Sequence, residues 1–114
     1  MIALSLRGCA FAAALAIVAY APALLFAEGA PDKTISQKGR AFAPGEVAVQ
    51  QGGTIRFTND DPFLHQIFVS SAKFSFDSNE QSSGQSIDVK FPTEGDFQVL
   101  CGIHPKMSLK VRVR

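Results

Sequence analysis

The chain has 114 residues, which is enough for one domain with one hydrophobic core but leaves little room for a catalytic domain with a substrate cleft. Its 11 basic and 10 acidic residues give a formal net charge of +1. Near-neutrality argues against a nucleic-acid partner, which would require a basic footprint. We therefore expect a small binding domain and not an enzyme.

Residues 1–27 are predicted to be a secretory signal peptide. Arg7 precedes a nearly unbroken apolar run, and a small residue lies directly before the expected cleavage point at Glu28. The alternative is a retained membrane anchor, because the run is about long enough to span a bilayer. Pro22 near the end of the run favours cleavage. Cleavage would leave one exported domain, residues 28–114.

Cys101 would then be the only cysteine of the domain, so no disulfide could form within it. The exported compartment is oxidising, and an unpaired thiol there is a liability unless it is buried or engaged. Cys101 therefore requires a structural or chemical role.

Short segments in which apolar and polar residues alternate recur along residues 28–114, and long helical periodicity is absent. The apolar positions are Val47 and Val49, then Ile55 and Phe57, then Ile67 and Val69, then Ile87, Val89 and Phe91, then Phe97 and Val99, and finally Leu109, Val111 and Val113. Turn-forming stretches separate these segments, so the sequence predicts an all-β sandwich or barrel. Residues 74–81 (FSFDSNEQ) are compatible with a strand, a short helical turn or a loop.

Residues 101–107 (CGIHPKM) concentrate side chains that bind soft metals, beside the last predicted strand. Period-2 alternation places Cys101 on the inward face of its strand and His65 on the inward face of another. The intervening loop brings back His104 and Met107. We therefore expect these four residues to meet at one end of the interior.

Two imidazoles, one thiolate and one thioether are a borderline-to-soft donor set that suits copper. Blue copper electron-transfer sites use two His and one Cys with a long axial Met. Pro105 fixes its own φ and so stiffens the loop. Each of the four residues taken singly is more often a core residue, but their order and spacing together predict one bound copper ion.

Other chemistries fit the sequence less well. Haem attachment through Cys-x-x-Cys-His needs two cysteines, and structural zinc sites prefer more Cys and rarely use Met. A Cys–His nucleophile would lack an oriented base and a cleft. Asp60, Asp61 and Glu94 lie in turn-forming stretches, and we interpret them as turn formers and not as acid–base catalysts.

The chain resembles the cupredoxin family of small type 1 (blue) copper proteins, of the plastocyanin, pseudoazurin and amicyanin kind. The resemblance lies in FAPGEVAVQQGGTIRFTNDDPFLHQIFV, which ends near an upstream His, and in FPTEGDFQVLCGIHPKMSLKVRV, which holds the ligand loop and the last strand. The spacing Cys-x-x-His-x-x-Met, with Pro after the His, is similar to the short loop of amicyanins. The resemblance implies an antiparallel Greek-key β-sandwich whose copper ligands are His65, Cys101, His104 and Met107.

One position departs from the family pattern. Many members have Asn directly after the upstream His, where it helps to tie the two ligand segments together, and this chain has Gln66. We expect the hydrogen bonds around the ligands, and with them the redox potential, to differ from those of other members.

The resemblance also implies a monomeric periplasmic protein that shuttles single electrons between redox proteins, such as c-type cytochromes or a periplasmic dehydrogenase or reductase, and has no small-molecule substrate. A periplasmic copper carrier or buffer without a redox circuit is the alternative, and an accessory domain of a larger oxidase or reductase complex is a third possibility. We hypothesise that Phe63, Ile103 and Pro105 form an apolar rim around His104, where electrons leave and partners dock. The competing interpretation is that this rim only shields the site.

Overall fold

The computed structural model describes residues 30–114, in which all regular structure is β-strand. The nine strands are β1 (Lys33–Gln37), β2 (Phe42–Ala43), β3 (Glu46–Val49), β4 (Thr54–Asn59), β5 (His65–Ser70), β6 (Ser75–Gln81), β7 (Ser86–Lys90), β8 (Gly95–Cys101) and β9 (Ser108–Val113). Within this part of the chain, no helix has the length and hydropathy that crossing a membrane requires. The predicted signal peptide, residues 1–27, lies outside the described residues.

The strands form two sheets, in the orders β2-β1-β4-β7 and β3-β9-β8-β5-β6. The expected β-sandwich is therefore confirmed. Most neighbouring strands run antiparallel, but β1 pairs with β4 and β3 pairs with β9 in parallel, so both sheets are mixed. The parallel pairs join strands that are distant in the chain, whereas the hairpins β5–β6 and β8–β9 are antiparallel.

Apolar side chains from both sheets fill the interior, and their spacing follows the predicted alternation. Every second residue is buried in β4, β5, β8 and β9. Residues 74–81, which the sequence left open, form β6 for nearly all their length. A bulge interrupts the pairing of β5 with β6 between Gln66 and Phe68. Because a bulge places two residues opposite one, it explains why the segment lacks a clean period-2 pattern.

The pairing of β5 with β8 positions the site. These strands are antiparallel, with Ile67 opposite Cys101 and Phe68 opposite Leu100. The start of β5 therefore lies beside the end of β8, and His65 shares a buried face with Ile67, as predicted. Two strands that are distant in sequence thus bring their inward-facing donors to the same end of the sandwich.

The core supports a prediction about stability. Ile55 on β4 is fully buried, and it belongs to the cluster of buried residues that forms the core. Ile55→Ala should lower the free energy of unfolding by about 2–5 kcal/mol, because it removes buried methyl groups and leaves a cavity. Urea denaturation followed by circular dichroism measures this loss. Ile103→Ala, at a residue that is 40% exposed, is the control and should cost about 0.5 kcal/mol or less. Equal losses for the two variants would contradict the described core.

Candidate metal centre

Three donor side chains converge at one end of the sandwich. The Cys101 Sγ lies 3.6 Å from the His65 Nδ1 and 3.8 Å from the His104 Nδ1. The three donor atoms all lie within 4.8 Å of one another. The sequence predicted that these residues would meet, and the structure places both imidazoles with Nδ1 toward the thiol. Cys101 is free and buried, and so fits the expectation that its thiol is protected.

The loop between β8 and β9 is closed by a tight turn. The Met107 backbone N–H donates to the His104 carbonyl oxygen at 3.0 Å, which is the i to i+3 hydrogen bond of a β-turn. Pro105 occupies the second position of this turn, where its fixed φ is favourable. Met107 is 2% exposed and lines one cavity with His104 and Pro105. The fourth predicted ligand is therefore buried in the same loop as His104 and shares a cavity with it.

The second ring nitrogen of His65 contacts a buried carboxylate. The His65 Nε2 lies 2.8 Å from the Asp61 Oδ2, and the two side chains are 0% and 6% exposed. The sequence pattern predicted only a turn at Asp61, so this contact was not predicted. The one sequence signal was its position four residues before His65, and loop residues have no periodicity from which orientation can be predicted.

Asp61 is held by a tight hairpin turn between β1 and β2. The Gly39 N–H donates to Oδ1 at 2.7 Å, and the Arg40 N–H donates to Oδ2 at 3.1 Å. Burial raises the pKa of the Asp61 carboxyl, but hydrogen bonds from His65, Arg40 and Gly39 outweigh burial and hold that pKa below its usual value. The carboxylate is therefore ionised at neutral pH.

Aromatic and cationic groups cover the two imidazoles. The ring of Phe63 lies 5.4 Å from that of His65 and 5.3 Å from that of His104, measured between centroids. The guanidinium of Arg40 lies over Phe63, 4.8 Å from its centroid, which is a cation–π contact. Burial, together with the nearby His65 and Arg40, lowers the pKa of His104 although Asp61 opposes this effect. His104 is consequently neutral at pH 7, with a lone pair free to bind a metal.

Gln66, the departure from the family pattern, packs on the ligand loop. Its Nε2 donates to the Asp77 Oδ1 on β6 at 2.7 Å. Its carboxamide lies so close to Gly102 that a methyl group at position 102 would overlap the Gln66 Oε1. Gln66 therefore connects the loop after Cys101 to β6 through packing and a hydrogen bond. The expectation that Gln66 changes the hydrogen bonds around the site relative to other family members stays a prediction.

The residues present fit a copper ion. One thiol and two imidazoles point their donor atoms at one another, and a thioether lies in the same loop. This donor set is too soft for magnesium or calcium, which prefer oxygen, and it matches the His₂Cys set of blue copper sites. The thiol has no disulfide partner among the described residues, so its sulfur is available.

The packing of Gln66 against Gly102 generates a prediction. Gly102→Ala should push the Gln66 carboxamide away from Asp77 and lower the free energy of unfolding by about 1 kcal/mol, the typical value of one hydrogen bond. Gly45→Ala is the matched control, because a methyl group there meets nothing within 4 Å. Thermal unfolding of both variants measures the difference. The double variant Gly102→Ala/Gln66→Ala should lose little more free energy of unfolding than Gly102→Ala alone, because both changes remove the same interaction. Equal stability of the two alanine variants would contradict the contact.

Solved structures of copper proteins share this fold. A copper(I) form of an amicyanin variant aligns with a TM-score of 0.68 and 21% identity, over 77% of this chain and 88% of the amicyanin chain. The purple cupredoxin of Nitrosopumilus maritimus aligns with a TM-score of 0.64 and 23% identity, over 73% of this chain and 100% of that one.

The copper-containing nitrite reductase of Thermus scotoductus SA-01 aligns with a TM-score of 0.67 and 25% identity, over 75% of this chain. The alignment spans only 22% of the reductase chain, so the similarity concerns one part of that enzyme. No curated protein sequence matches the chain.

A family model described as copper binding proteins, plastocyanin/azurin family, matches residues 32–114. The match includes all nine strands and the whole donor cluster. It confirms the resemblance to cupredoxins and the expectation that the cofactor is copper. The chain belongs to the plastocyanin/azurin family of copper-binding proteins.

Proposed function

We propose that the protein is a periplasmic type 1 copper protein that carries single electrons between redox proteins. In this proposal His65, Cys101, His104 and Met107 would hold the copper ion. The observation that carries the proposal is the convergence of three soft donor atoms within 4.8 Å. Membership of the plastocyanin/azurin family and the amicyanin-like fold support it.

The frame around the donors is stiff. Bound copper would supply a one-electron couple between Cu(II) and Cu(I). His65 and Cys101 sit on two strands of one sheet that are hydrogen-bonded to each other, and the Pro105 turn limits the loop that carries His104. Donors held in this way keep nearly the same arrangement in both oxidation states, so little rearrangement accompanies the transfer of an electron.

His104 is the proposed point of electron exit. It is partly exposed, whereas His65 and Cys101 are buried. Ile103 and Leu64, both 40% exposed, are the exposed large hydrophobic residues of the part of the chain that the structure describes. Ile103 and Pro105 flank His104 in the chain, and Phe63 packs on its ring. A small apolar surface of this kind suits a brief encounter with a partner.

Positive charges border the same surface. Arg40 and Lys106 are exposed and line one cavity with His104 and Ile103. Complementary charge speeds diffusional encounter, so the partner's docking face should carry carboxylates at its edge. We propose a redox protein as the partner, such as a c-type cytochrome or a periplasmic dehydrogenase or reductase. The predicted signal peptide supports a periplasmic location.

A copper carrier or buffer is less consistent with the site. A carrier that exchanges copper readily needs exposed donors, whereas Cys101 is 2% exposed and His65 is fully buried. If the protein were an accessory domain of a larger enzyme, another chain would have to supply the residues that bind and convert the substrate. The described residues offer one cluster of His, Cys, Asp or Glu side chains with the spacing of metal ligands.

The spectrum of the copper-loaded protein tests the proposed site. Purified residues 28–114 with Cu(II) should show an intense visible thiolate-to-copper band and a narrow copper hyperfine splitting in electron paramagnetic resonance. Cys101→Ser should abolish both, because it removes the sulfur ligand. A pale protein with the spectrum of ordinary tetragonal copper would contradict the assignment of Cys101.

The proposed exit surface predicts a change in electron transfer without a change in the site. Ile103→Ser should slow electron self-exchange between Cu(I) and Cu(II) copies about tenfold, because it makes the contact surface polar, and should leave the visible spectrum intact. Nuclear magnetic resonance line broadening measures the rate. The rate is measured at high ionic strength, because salt screens the repulsion between the Arg40 and Lys106 side chains of the two copies. Ala48→Ser, on an exposed position of β3 paired with the far end of β9, is the control. Unchanged self-exchange in Ile103→Ser would contradict the docking role.

A further inference from the structure

We propose that Asp61 is a positioning residue for the copper site: it keeps the Nδ1 of His65 aimed at Cys101, and its charge favours the oxidised state. The inference rests on the proposed function, and it assigns to this chain a carboxylate that lowers the reduction potential. Three observations carry it, namely the contact with His65, the turn that holds the carboxylate, and the isolation of this charge from solvent.

The contact fixes the tautomer of His65. An ionised carboxylate accepts hydrogen bonds and cannot donate them, so the His65 Nε2 at 2.8 Å from the Asp61 Oδ2 carries the hydrogen. With Asp61 on the Nε2 side of the ring, the Nδ1, which faces the Cys101 Sγ at 3.6 Å, is the nitrogen left to present its lone pair to a metal. Carboxylates bonded to the far nitrogen of a ligand histidine orient the ring and raise its basicity. Asp61 is placed to do both.

The turn that holds Asp61 has an unusual backbone. Gly39 and Arg40, at φ of +62° and +56°, are the two central residues of the hairpin turn closed by Lys38 and Ala41. Arg40 is one of two non-glycine residues with positive φ in the part of the chain that the structure describes. This conformation, which L-residues rarely adopt, directs two successive N–H groups at the Asp61 carboxylate. Backbone of this kind often marks a functional position, and here it fixes a negative charge.

The loop that carries Asp61 is fixed from the other side by Asn59. The Asp61 N–H donates to the Asn59 Oδ1 at 3.0 Å, and the Asn59 Nδ2 donates to the carbonyl oxygens of Phe63 and Gln81 at 2.8 Å and 3.0 Å. Asn59 is 1% exposed. Asp61 is therefore held between two rigid segments, and its carboxylate has little freedom to turn away from His65.

A fixed charge beside a ligand acts on the redox equilibrium. The oxidised site carries one more positive charge than the reduced site, so a nearby carboxylate stabilises the oxidised state. The attraction between two opposite charges is stronger where water is excluded. Asp61 is only 5% exposed, so its charge is poorly screened by solvent. Asp60, the adjacent residue, is exposed and hydrogen-bonds Ser36 and Thr58. It has the same formal charge without the contact to His65, and it therefore provides a matched control.

The test compares Asp61→Asn, Asp61→Ala and Asp60→Asn in the copper-loaded protein by voltammetry. Asp61→Asn keeps an acceptor oxygen for the His65 N–H and removes the charge. It should shift the equilibrium between oxidised and reduced protein about tenfold toward the reduced state, which is 59 mV for one electron. Asp60→Asn should shift it several times less. Equal shifts for Asp61→Asn and Asp60→Asn would overturn the inference.

A second measurement does not depend on copper or on the folding of a variant. Long-range ¹H–¹⁵N correlation spectra of the metal-free wild-type protein at neutral pH report the tautomer of His65. We expect the Nε2–H tautomer in the wild type, and a mixture of tautomers in Asp61→Ala if that variant folds. The Nδ1–H tautomer in the wild type would overturn the positioning role. A wild type without the thiolate-to-copper band would overturn the proposed function instead, so the two failures are distinguishable.

Discussion

The antiparallel pairing of β5 with β8 is the constraint on which the site depends. It places Ile67 opposite Cys101, so that the first residue of one strand, His65, lies beside the last residue of the other. Backbone hydrogen bonds set this separation, and the buried face of each strand sets the direction of its donor. A shift of one residue in the register would turn either donor to the opposite face of the sheet. The loop between β8 and β9 then completes the donor cluster by bringing His104 next to Cys101.

Buried polar residues hold the same end of the sandwich together. Gln37 and Gln81 are fully buried, and the Gln37 Nε2 donates to the Gln81 Oε1 at 2.7 Å. The Gln81 Nε2 donates to the carbonyl oxygens of Phe57 and Gln85. Buried amides are costly unless they are hydrogen-bonded, and these bonds tie β1, β4 and β6 together beneath the loop that carries Asp61. The Gln37 Oε1 is the one buried side-chain oxygen or nitrogen without a partner among the described residues.

The sequence predicted six of the nine strands, the sandwich and the donor cluster, because each depends on short-range patterns, whereas β1 and β2 were not predicted and β6 was left open. Period-2 alternation identifies an inward face, and the spacing of Cys101, His104 and Met107 describes a single loop. The residues around the donors were not predictable in this way. Asp61 lies in a loop, where no periodicity indicates direction, and its contact depends on a turn more than 20 residues earlier. Asn59 continues the alternation of Ile55 and Phe57 on the buried face of β4, but that pattern does not indicate which backbone groups its side chain would bond.

We propose that the protein provides the same soft donors to copper in both oxidation states. X-ray absorption at the copper edge tests it most directly, because it reports the ligand atoms without requiring a partner protein. We expect one short copper–sulfur path and two copper–imidazole paths in the oxidised protein, and the same paths with little change in length after reduction. Oxygen and nitrogen ligands without a short sulfur path, or a change in the number of ligands on reduction, would contradict it.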